Sequence, residues 1–406
     1  MNRVIETVLS KNAADFKSID GISLINQKKV LDAFLKNRIA LRHFNGTSGY
    51  GYDDAGRDAL NGVIADIFNA DRAIASPSIA SGTHALSIAL FGALRPGDTV
   101  LSITGEPYDT LNDAIHKTGV GSLADFGIKF DSIPLLDTGD FDFEAIKEYL
   151  THNRVKMAYI QRSRGYAWRL ALSIAQIEKI CLFIKQLNPD CVIMCDNCYG
   201  EFVETTEPTD VGVDICAGSF IKNIGGGIAP TGGYIVGRAD LIDLISGRFT
   251  SPSIGTEVGS YASGYRLFYQ GLFLAPHTVA QAMKTGLLFA SALHELGYDV
   301  LPKPTDRRGD IICSIKLESA DKMISFCKAI QEVSPVDGFV SPEPSSQPGY
   351  ADEVIMAAGC FVQGASIELS CDGPIREPYI VYLQGSLTFE HGIIALEQVL
   401  NALKFE

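Results

Sequence analysis

A single lysine followed closely by glycines is the strongest candidate for chemistry in this chain. Lys222 ends a short apolar run, and a glycine cluster occupies residues 225–227. Glycines permit positive φ and a close approach of the backbone to a ligand. Burial disfavours the charged form of a lysine, and a neutral amine is a nucleophile that forms Schiff bases. The alternative is a lysine at a strand end that extends to solvent, the commoner role of a single lysine.

Two further stretches favour binding of a cofactor. Residues 192–196 are apolar up to Asp196 and predict a buried strand of a parallel sheet. The turn Ser81-Gly82-Thr83 precedes an apolar helix, whose free N–H groups and two hydroxyls suit a phosphate. The helix start, the acidic strand end and the lysine are the three binding groups that pyridoxal 5'-phosphate requires. The helix start binds the phosphate, Asp196 keeps the ring nitrogen protonated, and Lys222 holds the aldehyde as an internal aldimine.

The order of these motifs resembles that of a known family. The chain is similar to fold-type-I pyridoxal-phosphate enzymes, and more narrowly to the cystathionine β-lyase/methionine γ-lyase-like family of aluminium resistance proteins. The resemblance runs from residue 45 or so to residue 406, which is nearly the whole chain. It is carried by the stretches at residues 49–58, 81–85, 161–166, 196–202 and 218–227.

The resemblance implies an α/β fold of the aspartate aminotransferase type. In this fold a mainly parallel seven-stranded sheet carries helices on both faces, and a smaller α+β domain follows it in the chain. We expect an N-terminal helical segment at residues 1–45 and a large domain that binds pyridoxal phosphate at 46–270. The small C-terminal domain, with its linking helix, is expected at 271–406.

The resemblance also implies cofactor contacts for individual residues. Tyr108 follows a predicted strand and is expected to stack on the cofactor ring and to take part in catalysis. Ser219 is expected to contact the phosphate. Tyr50, Tyr52 and Arg57 are expected to reach the cofactor phosphate of a neighbouring subunit, which would give a homodimer or homotetramer with shared active sites.

Arginines are the expected binders of the substrate carboxylate. The loop at residues 161–169 contains three of them and either binds carboxylate or phosphate or is an exposed basic loop. From this loop we take Arg164 and Tyr166 as candidate substrate-binding residues. By its position in the small domain, Arg376 resembles the arginine that holds the α-carboxylate in this fold, with a surface-turn arginine as the alternative.

Composition excludes several classes of partner. The formal net charge of −14 argues against nucleic acid and against anionic membrane surfaces. No signal peptide or membrane-spanning run is evident, and the odd number of cysteines, nine, suggests free thiols in the cytoplasm. The spacing of Cys191, Cys195 and Cys198 resembles half of a zinc site, but no second ligand pair lies nearby, so we expect no metal.

Apolar periodicity and capping residues predict further elements. Asp140 is predicted to cap a helix at residues 141–150. A long helix at residues 275–296 is predicted to connect the domains, and a strand is predicted at residues 366–370.

The implied reaction begins when Lys222 removes the α-proton of an amino acid bound to the cofactor. Elimination of a β- or γ-thiol would then give ammonia and a keto acid. We therefore expect a pyridoxal-phosphate-dependent carbon–sulfur lyase that acts on cystathionine, methionine or a cysteine-like amino acid. The alternatives are another reaction of the same cofactor, such as transamination, racemisation or aldol cleavage, and a non-catalytic stress protein that binds the cofactor.

Overall fold

A computed structural model describes residues 3–347 and 352–404 and contains a large, mainly parallel sheet. The strands of this sheet are β1 Arg72–Ser76, β2 Thr99–Ser102, β3 Lys129–Ser132, β4 Met157–Gln161, β5 Val192–Asp196, β6 Ile215–Ser219 and β7 Gly233–Gly237. Their order is β1-β7-β6-β5-β4-β2-β3. Strand β7 is antiparallel to both of its neighbours, and the other pairs are parallel.

Helices cover both faces of this sheet, because side chains along each strand alternate between two apolar clusters. The helices up to the small domain are α1 Arg3–Lys11, α2 Ala13–Lys36, α3 Ala55–Ile67, α4 Gly82–Ala93, α5 Asp109–His116, α6 Phe143–His152, α7 Ile174–Leu187, α8 Ala239–Phe249 and α9 Arg266–Glu295. One apolar cluster includes Leu101 and Ile193 and joins the sheet to α2, α3, α7 and α9. The other includes Val100 and Met194 and joins the sheet to α4 and α8.

A smaller antiparallel sheet forms the C-terminal part, with the order β10-β11-β12-β9-β8. Its strands and helices are β8 Val300–Leu301, β9 Cys313–Lys316, α10 Ala320–Glu332, β10 Val354–Ala357, β11 Ser370–Pro374, β12 Ile380–Gln384 and α11 Phe389–Ala402. The described helices lack any stretch with the length and apolarity needed to cross a bilayer.

The two N-terminal helices connect the two cores. Ile5 and Val8 of α1 belong to the apolar core of the small sheet, whereas Ile19 and Val30 of α2 belong to the core of the large sheet. The N-terminal segment therefore packs on both parts of its own chain.

Helix α6 begins two residues later than predicted. The carboxylate of Asp142, not that of Asp140, accepts a hydrogen bond from the N–H of Ala145 at 2.9 Å and caps the helix. Asp140 instead accepts from Nε2 of Gln176 at 2.9 Å. Two aspartates precede the apolar periodicity, and the contact with Gln176 of α7 occupies the side chain of Asp140.

Two other predicted elements are displaced along the chain. The long helix begins at Arg266 and continues through Pro276, although proline removes one helical hydrogen bond. Burial along most of α9 outweighs this local cost. The strand predicted at 366–370 is β11, which begins only at Ser370.

Candidate active site

Three neighbouring parallel strands end at the centre of the candidate site. Gln161 ends β4, Asp196 ends β5 and Ser219 ends β6. Asp196 lies opposite Gln161 on one side and Ala217 on the other. Because the carboxyl ends of parallel strands meet at one edge of the sheet, the helix starts and loops that follow them surround a shared cavity.

The cavity at this edge has a volume of about 330 Å³. It contains most of the residues that the sequence predicts for cofactor binding, together with one predicted substrate-binding residue. The predicted residues in its wall are Ser81, Gly82, Thr83, Tyr108, Tyr166, Asp196, Ser219 and Lys222.

Nζ of Lys222 lies 4.1 Å from the centre of the Tyr199 ring and has no hydrogen-bond or ion-pair partner in the described part of the chain. Burial lowers the pKa of Lys222, but the acidic groups around it, among them Cys198, Tyr199 and Asp196, raise it well above the ordinary value. The expectation that burial leaves this amine neutral is therefore wrong for the protein alone, since the neighbouring acids outweigh desolvation.

The carboxylate of Asp196 accepts a hydrogen bond from the N–H of Cys198 at 3.0 Å. Burial raises the pKa of Asp196, while the positive charge of Lys222 and the Cys198 N–H lower it. Asp196 and Lys222 line the same cavity without forming an ion pair within 4.0 Å. A carboxylate in this position suits a cationic ring nitrogen.

The start of α4 has the properties of a phosphate site. The Ser81 hydroxyl caps the helix by accepting from the N–H of His84 at 3.1 Å, so Ser81 is a structural cap here. The N–H groups of Gly82 and Thr83 have no acceptor among the described residues. A Cβ atom built on Gly82 would lie 3.5 Å from Cβ of Ser219 and 4.0 Å from Nζ of Lys222. Glycine thus leaves open a cradle that fits a phosphate.

Tyr108 is held beside this helix start. Its hydroxyl and that of Thr83 are 2.9 Å apart, and its N–H donates to Oε1 of Gln161 at 3.1 Å. Burial, followed by the charge of Asp196, raises the pKa of Tyr108. The phenol therefore stays protonated near neutral pH, and its ring faces the cavity that contains Asp196.

Neither predicted carboxylate-binding arginine lines the cavity. Arg164 is buried and binds Asp310 at 3.2 Å and the carbonyl of Leu301 at 2.7 Å. Arg376 is exposed and pairs with Asp352 at 2.9 Å. Both guanidinium groups therefore have acidic partners away from Lys222.

The predicted N-terminal loop also lies outside the cavity. Tyr50 and Tyr52 are 71% and 63% exposed, and their rings are 5.5 Å apart. Arg57 is buried and donates to the carbonyl of Gly51 at 2.9 Å and to Asp58 at 2.9 Å. Arg57 therefore stabilises the loop, while the two tyrosines present their rings to solvent.

Several residues of the cavity wall were absent from the sequence-based prediction. Tyr199 stands three positions after Asp196, and this local spacing could have identified it. Asp372 of β11 and Tyr382 and Gln384 of β12 also line the cavity. No local pattern identifies these three, because packing of the small sheet on the large domain brings them to the site.

Fold and site together are those of a fold-type-I pyridoxal-phosphate enzyme. The profile of the Methionine gamma-lyase family matches residues 1–404. The chain belongs to the methionine γ-lyase family, whose members are carbon–sulfur lyases that use pyridoxal phosphate.

Similar proteins occur in several bacteria. The uncharacterized protein YnbB of Bacillus subtilis is 48% identical over 378 residues, which are 92% of this chain and 90% of YnbB. A Listeria monocytogenes structure, named as a proposed cystathionine β-lyase involved in aluminum resistance, is 48% identical, with a TM-score of 0.97 and coverage of 99% of this chain and 100% of that one. A carbon–sulfur lyase involved in aluminum resistance from Clostridium novyi is 49% identical, with a TM-score of 0.95 and coverage of 99% and 95%.

Proposed function

We propose that this chain cleaves a carbon–sulfur bond of a sulfur-containing amino acid, using pyridoxal 5'-phosphate bound covalently through Nζ of Lys222. The observation that carries the proposal is the unpaired Nζ of Lys222, which shares a cavity with Asp196 and with the open start of α4. Family membership supports the reaction class, and the alternatives of another cofactor reaction or a non-catalytic role gain no support from the relatives.

In this proposal, different residues of the cavity bind different parts of the cofactor. The N–H groups of Gly82 and Thr83, with the hydroxyl of Ser219, hold the phosphate. The carboxylate of Asp196 holds the ring nitrogen, and the Tyr108 ring lies against the cofactor ring. When bound, the cofactor withdraws electrons from the α-carbon of an amino acid.

Lys222 takes the α-proton onto Nζ in the proposed reaction. The amine must be neutral to do so, and in the protein alone Asp196 helps to keep it charged. A cationic partner at Asp196 compensates that negative charge and lowers the pKa of Lys222. The same carboxylate thus has two consequences, since it stabilises the ring nitrogen and, once paired, no longer raises the pKa of Lys222.

The assembly and location are part of the same proposal. The exposed rings of Tyr50 and Tyr52 suit burial against another subunit, in a homodimer or homotetramer with shared sites. All nine cysteines are unpaired, and Sγ of Cys371 approaches Sγ of Cys327 to 3.6 Å as a thiol. Unpaired thiols this close together suit the reducing cytoplasm.

The variant Lys222→Ala tests the proposal directly. Borohydride fixes an imine-bound cofactor to its lysine, so peptide mass spectrometry of the reduced wild type should find the cofactor on Lys222. The same peptide of the variant should carry no cofactor. The release of thiol and keto acid by the variant from a panel of sulfur amino acids should fall by about 10²–10⁴-fold, as expected for loss of a general base.

Lys129→Ala is the matched control, because Lys129 is exposed on β3 and is not part of the cavity wall. This variant should retain both the modified peptide and the activity. A cofactor found on another lysine in the wild type would overturn the role of Lys222. A correctly modified wild type that releases no thiol would overturn the lyase reaction.

A further inference from the structure

The wall that the small sheet contributes to the cavity contains a carboxylate without a cation. Asp372 on β11 lines the same cavity as Lys222, and no ion pair of Asp372 occurs in the described ranges 3–347 and 352–404. In the antiparallel register of the small sheet, Asp372 lies opposite Tyr382. Burial raises the pKa of Asp372 to about 7, and the Tyr166 hydroxyl, which bonds to the carboxylate, lowers it.

Aromatic rings surround this carboxylate. The rings of Tyr166 and Tyr382 are 5.0 Å apart, and the Tyr382 hydroxyl donates to the backbone carbonyl of Tyr166. The Tyr199 hydroxyl is close enough to Asp372 for the charge of the carboxylate to raise its pKa. Tyr199 adopts a φ of +71°, a conformation that is rare for a bulky residue and that the surrounding structure must impose.

The charges of the cavity leave Asp372 available for a ligand. Lys222 is the sole lysine or arginine among the described residues of its wall. In the proposed function Lys222 and Asp196 both serve the cofactor, so neither can neutralise Asp372. A half-buried carboxylate whose only bonded partner among the described residues is a phenol hydroxyl lacks a cation, and a carboxylate beside tyrosine rings is the combination that binds organic ammonium groups.

We infer that Asp372, Tyr166, Tyr199 and Tyr382 form a subsite for a second ammonium group of the substrate. The inference rests on the proposed function, in which the α-amino group of the substrate is consumed at the cofactor. An ammonium group in the subsite must therefore belong to the other side of the sulfur. The substrate class is a diamino sulfur amino acid such as cystathionine, and methionine lacks the group that the subsite binds.

The test compares L-cystathionine with an analogue in which hydrogen replaces the distal amino group. In the wild type, kcat/KM should be about ten- to hundredfold higher for L-cystathionine, since a hydrogen bond to a charged group is lost with the analogue. In Asp372→Asn the two compounds should be cleaved with nearly equal kcat/KM. Most of the change should appear in KM, because a distal ammonium that takes no part in the bond cleavage is bound equally before and in the transition state.

Two variants control for structural damage. Asp372→Glu keeps the charge and should restore part of the preference for L-cystathionine. Asp321→Asn changes an exposed carboxylate in the first turn of α10 and should leave the preference unchanged. Wild-type enzyme that cleaves both compounds equally well would overturn the subsite and leave the lyase reaction intact.

If the wild type cleaved neither compound, the lyase proposal would fail, and binding would still decide the subsite. Calorimetric titration of the cofactor-loaded protein should then show about ten- to hundredfold tighter binding of L-cystathionine than of the analogue. Equal dissociation constants would overturn the inference.

Discussion

Single ionisable groups in the cavity differ in whether charged neighbours offset the effect of their burial. Lys222 is enclosed, yet Cys198, Tyr199 and Asp196 raise its pKa against the effect of desolvation. Asp372 lacks a charged partner among the described residues, and its burial outweighs the bond from the Tyr166 hydroxyl and raises its pKa to about 7. One edge of the large sheet thus contains an amine whose pKa is raised by several acidic neighbours and a carboxylate whose pKa is raised to about 7.

The titration of Asp372 predicts a pH-dependent substrate preference. The carboxylate is ionised above pH 7 and protonated below it, so only the higher pH range offers a negative charge to a distal ammonium. The phenols of Tyr199 and Tyr382, which face Asp372 with Tyr166, have raised pKa values and stay protonated across this range. The ratio of kcat/KM for L-cystathionine to that for L-methionine should therefore fall as the pH drops through 7, by about ten- to hundredfold in total, which is the contribution expected of the charged contact.

Steady-state kinetics of the wild type and Asp372→Asn from pH 5.5 to 8.5 or so would measure this ratio. Taking the ratio of two substrates cancels the titration of Lys222 and of other groups that act on both. The ratio should be flat in the variant. A wild-type ratio that rises as the pH falls would contradict the sign of the prediction.

At the scale of elements, the start of α4 determines whether a phosphate can approach Lys222. Ser81 caps the helix through His84 and leaves the first N–H groups open. Gly82 faces Cys198 closely enough that a Cβ atom would lie 3.2 Å from its Sγ. The absence of a side chain at Gly82 is therefore a requirement of the cradle rather than of backbone conformation.

Gly82→Ala should weaken cofactor binding. The added methyl group overpacks the cradle by about 1–3 kcal/mol, which corresponds to about a 5- to 150-fold higher Kd for pyridoxal phosphate. Fluorescence titration of the apoprotein with the cofactor would measure Kd. Gly21→Ala in α2 is the matched control, because a Cβ atom there has nothing within 4 Å, and its Kd should equal that of the wild type. Unchanged Kd in Gly82→Ala would place the phosphate elsewhere.

At the scale of the whole molecule, the loop before α3 presents aromatic side chains outward on an ordered backbone. The Tyr50 carbonyl accepts from the N–H of Gly259 at 2.9 Å, and the Gly49 carbonyl accepts from the Ser260 hydroxyl at 2.8 Å. The loop is thus anchored while the rings of Tyr50 and Tyr52 remain exposed. This combination suits a preformed contact with another subunit.

The double variant Tyr50→Ser/Tyr52→Ser should weaken that contact. Loss of two aromatic side chains that the proposed contact buries removes about 1.5–3 kcal/mol each, so the subunit dissociation constant should rise by at least about a hundredfold. Light scattering over a dilution series would measure the mass of the assembly, and dialysis would measure cofactor loss. Phe339→Ser removes a 91% exposed ring elsewhere on the surface and should change neither property. A double variant with wild-type mass and cofactor retention would remove this loop from the interface.

The sequence by itself determined the local parts of the site. An apolar run that predicts a buried strand precedes Asp196, and an apolar helix follows the turn Ser81-Gly82-Thr83. The flanking residues therefore already predict the surroundings of these side chains. Such features are predictable because the residues that create them are neighbours in the chain.

Only the tertiary structure decided the parts that depend on distant residues. Arg164 was expected to face a substrate, but Asp310 lies 146 positions away and binds its guanidinium group inside the protein. Asp372 reaches the cavity because the small sheet packs against the carboxyl ends of β4, β5 and β6. Charge pairing and the packing of separate layers involve contacts between residues far apart in sequence, and no local spacing encodes them.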